Sequence, residues 1–284
     1  MMNYYRENMN RLKQKLDFTS LDIAIAIGFV LMMIIALFED LRLSNQVYNP
    51  NSLLGQFTAS YGEVPGYLVM SVAFMIYVLS RPLKATPSIL SIIGIGVVNT
   101  LAVSRFTNNL LLRIIGTILL IGLTAVIVYY FIPINEEFVL EAATRTVKIS
   151  IIVPTAIVLT IKSIWGRVRF RDLSSSQNEF TPWYLPRGFN GNHSFPSGHT
   201  AMGWMVLCSI LFIKDKTTRW IIGIISIIWG ITVATGRVII GAHYLSDVVF
   251  STGIGLLVIH YYYKQQMTLL EDRKMMIQKS EINN

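Results

Sequence analysis

An all-α fold of about eight membrane-crossing helices is what this chain predicts, and three observations predict it. Of its 284 residues, 53% are apolar and only 14% charged, a balance that soluble domains rarely show. The apolar residues fall in blocks rather than in amphipathic stripes, and blocks of ~17–25 residues are long enough to cross a bilayer. Lys and Arg collect in alternate connecting segments, the bias that orients a chain in a membrane.

Taken in order, residues 1–20 are polar and carry Arg6, Arg11, Lys13 and Lys15, and an apolar run follows from Leu21 to about Phe38. No small-residue cleavage pattern follows it and Glu39 and Asp40 come next, so it reads as a retained helix rather than a signal peptide. Residues 40–64 read as a polar loop bearing Asn, Gly and Ser. Further apolar blocks lie at about 65–80, 86–104, 109–132, 147–165, 199–213, 219–236 and 245–263, and the tail from Lys264 is polar. Trp183, Tyr184, Trp204, Trp220 and Tyr261 to Tyr263 are expected in interfacial belts. Cys208, the single cysteine, excludes an internal disulfide and a Cys-based metal site.

Eight spans put both termini on one side. The segments of that side hold 15 of the 24 Lys and Arg residues, which makes it cytoplasmic; eight lie opposite, and Arg113 falls inside a span. The opposite cations are clustered. Lys162, Arg167, Arg169, Arg171 and Arg187 precede a Pro196-Ser197-Gly198-His199 turn, and Arg237 follows it. Cations kept on a translocated side run against the general bias, so something there requires them.

Alternating topology brings three stretches to that same face: Lys162 to Arg169 at the end of the fifth span, the Pro-Ser-Gly-His turn opening the sixth, and Arg237 to Asp247 between the seventh and eighth. Lys162, Arg169 and Arg237 offer convergent donors suited to a phosphate dianion. The amides after Ser197, at a helix start, attract anions as well. His243 and Asp247 are four apart, so on a helix they share a face. A carboxylate there can fix the imidazole tautomer and free the other ring nitrogen as a nucleophile. His199 can protonate a leaving alkoxide and then activate water. His193, His199, His243 and Asp247 form a sensible zinc ligand set, yet three or more fixed cations nearby would repel a metal. No metal or other cofactor is therefore expected. His193 is expected near a substrate entry, and His260 falls at the wrong end of the last span.

Lys-x6-Arg from Lys162, then Pro-Ser-Gly-His, then Arg-x5-His-x3-Asp from Arg237 together resemble the three-part signature of the type-2 phosphatidic acid phosphatase superfamily, which also includes vanadium haloperoxidases. The resemblance implies that Lys162, Arg169 and Arg237 bind phosphate, with Ser197 and the Gly198 amide assisting. It implies that His243 attacks to form a phosphohistidine, that Asp247 orients it, and that His199 is general acid and then base. Two departures stand out: Phe170 follows Arg169 where Pro is usual, and Gly236 precedes Arg237 where Ser is common. The family core has six spans, so residues 1–85 are expected to be a cytoplasmic segment plus two added helices, 86–263 the phosphatase core and 264–284 a cytoplasmic tail.

The resulting expectation is a metal-independent lipid phosphatase with its site on the outer face of a bacterial plasma membrane. It would act on a lipid phosphate or diphosphate of the phosphatidate, phosphatidylglycerophosphate or undecaprenyl diphosphate class. A phosphotransferase using the same site, or a non-hydrolysing lipid-phosphate binding or flipping protein, are the alternatives. The sixth span is short, which would recess the site to about headgroup level and favour a substrate whose tail stays in the bilayer. The membrane and the lipid phosphate are the expected partners, the oligomeric state is open, and nucleic acid is disfavoured because the cations lie at membrane edges.

Overall fold

The computed structural model describes residues 19–80 and 86–282. Arg6, Arg11, Lys13, Lys15 and the 81–85 connection, which enter the expected orientation, lie outside the described residues. The helices are α1 (Ser20–Val47), α2 (Leu53–Tyr61), α3 (Val64–Leu79), α4 (Thr86–Ser104), α5 (Leu110–Phe131), α6 (Glu137–Ser150), α7 (Thr160–Trp165), α8 (Gly198–Trp204), α9 (Lys216–Ile239) and α10 (Leu245–Ile282). No strand occurs among the described residues, so the all-α expectation holds.

Helix starts follow local chemistry. Thr19 and Asp22 form a reciprocal capping box before α1, and Ser52, Asn109 and Asp215 cap α2, α5 and α9 through side-chain oxygens. Pro154 interrupts the segment between α6 and α7. It has no N–H for the Ser150 carbonyl, the chain widens into a π-helix over Ile151–Leu159, and the Thr155 hydroxyl donates to that carbonyl at 3.1 Å instead.

Among the described residues six units are long and apolar enough to cross a membrane: α1, α2 with α3, α5, the Glu137–Asp172 unit, α9, and α10 as far as Arg273. The chain is therefore a multi-pass helical membrane protein. Of the eight expected spans, six correspond to such helices and the other two to the shorter apolar helices Ser88–Ser104 and Gly198–Phe212, so length and composition establish six crossings rather than eight. The second of these is α8 with its 3-10 continuation Met205–Phe212. It can be short because protein rather than lipid surrounds it: Ala201, Met205, Cys208 and Leu211 are fully buried at the centre of the bundle. Trp204 is buried there too, its indole donating to Thr252 Oγ1 at 2.8 Å, so it is a core residue and not part of an interfacial belt. By contrast α1 and α5 present rows of exposed Leu, Ile and Phe, the surface a lipid environment would cover.

The expected loop at 40–64 is mostly helical. Helix α1 runs on to Val47 because Asp40 and Ser44 are buried on its inward face. Helix α2 lies tightly against α9: a Cβ on Gly55 would meet Ile240 Cγ2 at 2.1 Å, and one on Gly236 would meet Thr58 Oγ1 at 2.1 Å. The Gly236 departure thus has a packing cause, since a serine there would collide with Thr58.

Candidate functional site

One end of the bundle gathers the last turns of α1, α7 and α9 with the first turns of α3, α8 and α10. Gly166, left-handed at φ +64°, ends α7 and turns the chain into the 166–197 loop. That loop folds back on its own start. Arg187 N–H donates to Trp165 O, Ser194 N–H to Arg167 O, and Phe195 packs among Trp165, Trp183 and Phe250.

His243 sits in the turn between α9 and α10, buried to 2% exposure. Its Nδ1 lies 3.4 Å from Asp247 Oδ2, so the four-residue spacing does bring the pair together. Asp247 is held from every side. Its Oδ1 accepts from Arg167 Nη1 at 2.6 Å, and its Oδ2 accepts from Ser194 Oγ at 2.5 Å and from the Tyr244 amide at 2.9 Å. Burial pushes the His243 imidazole down to about 3; the Asp247 contact opposes this, while Lys162 and Arg237 reinforce it. The ring is therefore neutral and has a lone pair to offer at ordinary pH.

The cations converge as expected. Lys162 lies within electrostatic reach of Asp247, Arg169, Arg237 and Glu63, and Arg237 within reach of Arg171, Arg169 and Arg105. Lys162 Nζ donates to Pro196 O at 3.2 Å, which ties α7 to the turn. The Nε groups of Arg169 and Arg237 are buried and donate to nothing among the described residues. Such donors cost free energy unless an acceptor arrives, and an anion would supply one. Ser197 caps α8, its hydroxyl accepting from Thr200 N at 3.3 Å while its own amide donates to Asp247 O at 3.1 Å. Among the described residues the Gly198 and His199 amides make no hydrogen bond, leaving two donors at the helix start.

His199 is flanked by Glu63 Oε1, 3.1 Å from Nδ1, and Ala59 O, 3.3 Å from Nε2. His193 is exposed, with a ring nitrogen 3.2 Å from Lys162 O. His260 is remote, near Asp22 at the opposite end of the bundle.

Sequence reasoning missed several residues here. Arg167 enters the sequence reading only as one of the clustered cations with no role of its own, whereas it is fully buried and its donors are taken by Asp247, by Asp40 Oδ2 at 2.8 Å, by Ser246 Oγ and by Thr181 O. Its guanidinium also stacks 4.1 Å from the Tyr244 ring. Asp40, Ser194, Glu63 and Arg105 were not singled out at all. A buried carboxylate at the edge of an apolar run was the available signal for Asp40 and Glu63, since ionisable groups at membrane depth need a partner or a purpose.

Fold and site together define a multi-pass helical membrane protein with a cation-lined His–Asp site at one end of its bundle. Residues 144–271 match the family model of the PAP2 superfamily, in agreement with the type-2 phosphatidic acid phosphatase resemblance of the three motifs. That match supports phosphoric ester hydrolysis in general. Comparison with curated proteins and with solved structures gave no match.

Proposed function

We propose that the protein is a lipid phosphate phosphatase that works without a metal, through a phosphohistidine on His243. The observation that carries this reading is the His243–Asp247 contact beside two buried arginine Nε groups that have no acceptor. Binding alone would need the cations but not an oriented, neutral imidazole.

In this reading Lys162, Arg169, Arg237 and the Gly198 amide hold the phosphoryl oxygens, with Ser197 shaping the turn, and they stabilise charge on the group as it transfers. The Nδ1–H of His243, 3.4 Å from Asp247 Oδ2 and without a hydrogen bond among the described residues, closes onto that carboxylate, so Nε2 attacks phosphorus. The P–O bond to the lipid breaks, its electron pair goes to the lipid oxygen, and that oxygen takes a proton from His199. Water then attacks the phosphohistidine and gives its proton to His199. The P–N bond breaks, its pair returns to His243, and inorganic phosphate leaves.

Two features support a lipid substrate. The central unit Gly198–Phe212 has 15 residues, roughly 27 Å at α and 3-10 rises, which is short of the ~30 Å hydrocarbon layer and recesses the site from the surface. An apolar cavity of about 670 Å³ runs from Glu63, Gly198 and Met202 down to Phe74, Leu90 and Pro154, room for a chain whose phosphate lies at the turn. The Lys/Arg bias supports cytoplasmic termini, and hence an extracytoplasmic site in a plasma membrane, bacterial by this reading. In the same reading residues 86–263 are the catalytic core.

The test is phosphate release by purified protein over phosphatidate, phosphatidylglycerophosphate and undecaprenyl diphosphate, with chelator present. Trapping of ³²P on His243 is expected during turnover. Transfer of label to another lipid's hydroxyl would instead mark a phosphotransferase, and binding without any turnover a binding or flipping protein.

A further inference from the structure

Glu63 lies at the junction of α2 and α3, outside residues 144–271 and 136 positions before His199 in the chain. Its side chain is only 7% exposed, and both oxygens are used. Oε1 is 3.1 Å from His199 Nδ1, while Oε2 accepts from the Tyr67 hydroxyl at 2.9 Å and from the Arg105 guanidinium. Arg105, just beyond α4, balances the carboxylate charge, and Tyr67, one helical turn along α3, fixes its plane. A buried carboxylate is tolerated only with partners of this kind.

The second ring nitrogen of His199 points at Ala59 O, 3.3 Å away, from the last turns of α2. Two acceptors and no donor therefore face the two nitrogens. A neutral imidazole has one N–H and would leave a lone pair pointed at an oxygen; an imidazolium donates on both sides. The other charged or titratable groups near the ring, Arg237 from α9, Arg105 after α4 and His243 from the α9–α10 turn, disfavour a second proton on it, and Glu63 is the carboxylate in contact that favours one.

We propose that Glu63, clamped by Arg105 and Tyr67, is the positioning residue that holds His199 as the proton-bearing acid of the reaction. In that role Nδ1–H stays on Glu63, while Nε2–H turns from Ala59 O to the lipid ester oxygen as the P–O bond breaks. The proposal rests on the phosphatase reading and extends the acid–base machinery into the part of the chain that the family match does not cover.

The experiment compares Glu63→Gln, Glu63→Asp and wild type on two long-chain phosphate monoesters, one with an alkyl leaving group and one with a 4-nitrophenyl leaving group. A nitrophenolate leaves without a proton, an alkoxide does not, so loss of acid function should be confined to the alkyl ester. Glu63→Gln is expected to lose on the order of 10–100-fold in kcat/KM, which reports the steps up to leaving-group departure, on the alkyl ester and under about 3-fold on the aryl ester. Its alkaline limb should move to lower pH, because the anion beside the ring is gone, and Glu63→Asp should recover part of the loss. Equal losses on both esters, or none on either, would overturn the positioning role while the phosphatase reading stood. A wild-type protein inert on both esters would sink the phosphatase reading, and the Glu63 role with it.

Discussion

His243 and His260 each carry a ring nitrogen 3.4 Å from an aspartate oxygen, of Asp247 and of Asp22 respectively. The two contacts sit at opposite ends of the bundle; one uses Nδ1 and a carboxylate four residues on, the other Nε2 and a carboxylate from a distant helix, and their surroundings differ more. Asp22 closes the capping box of α1 and binds Lys264 at 2.6 Å, so its work is to start one helix and pin it to another. Asp247 is fully enclosed by Arg167, Ser194 and the Tyr244 amide, and beyond it stand Lys162 and Arg237. A His–Asp contact is thus not a functional sign by itself. Enclosure of the carboxylate, and cations placed where no side chain uses them, are what separate the two ends.

The largest expected effect tests that contrast directly. His243→Ala should lower phosphate release by about 10³-fold or more, since nucleophile and base deletions remove the chemical step. His260→Ala should stay within about 3-fold in the same assay with folded protein recovered, because it touches only a helix-pinning contact. Comparable losses in both variants would erase the distinction. Next in size is Arg167→Met, which leaves Asp40 and Asp247 buried without their shared cation. A cost of about 3–5 kcal/mol is expected in thermal or denaturant unfolding. Adding Asp40→Asn should return part of it by removing one of the two uncompensated charges, and no recovery would mean that Arg167 acts mainly through its stacking on Tyr244.

How legible each end was in the sequence follows from the range of the interactions. The dyad could be read because His243 and Asp247 are i, i+4 neighbours, and α8 because its apolar run is short and opens on a capping serine. The convergence of Lys162, Arg169, Arg237 and the turn followed from alternating topology alone. Asp40–Arg167 and Glu63–Arg105 could not be read, since they join residues 127 and 42 positions apart and no local pattern announces a partner. The 40–64 segment misled for a related reason. Its polar residues suggested a loop, but Asp40 and Ser44 are turned inward, and the capped helix α2 is held by close glycine contacts with α9. Propensity lost to tertiary packing.

Those glycine contacts give a smaller effect that links α2 to the site. Gly236→Ser restores the residue common at that position in the family pattern, yet it should destabilise this protein by about 1–3 kcal/mol as an overpacked contact against Thr58. Thr58→Ala removes the hydroxyl that such a side chain meets at 2.1 Å, so the double variant should melt above Gly236→Ser alone. If the single variant melted like wild type, α2 would be free to yield and would not brace the Arg237 end of α9.

The smallest effect is a pH slope, and its sign follows from burial. The His243 ring is held at about 3 in the folded protein against an ordinary value of 6.5. Between those values the unfolded chain binds a proton that the folded one does not, so stability rises with pH across the window and falls as pH drops from about 6.5 toward about 3. One such group contributes at most about 1.4 kcal/mol per pH unit. Melting in detergent should therefore fall more steeply with acid for wild type than for His243→Asn. Equal slopes for wild type and His243→Asn would mean that burial does not hold this ring neutral, and the case for a specialised imidazole at His243 would then rest on the cations alone.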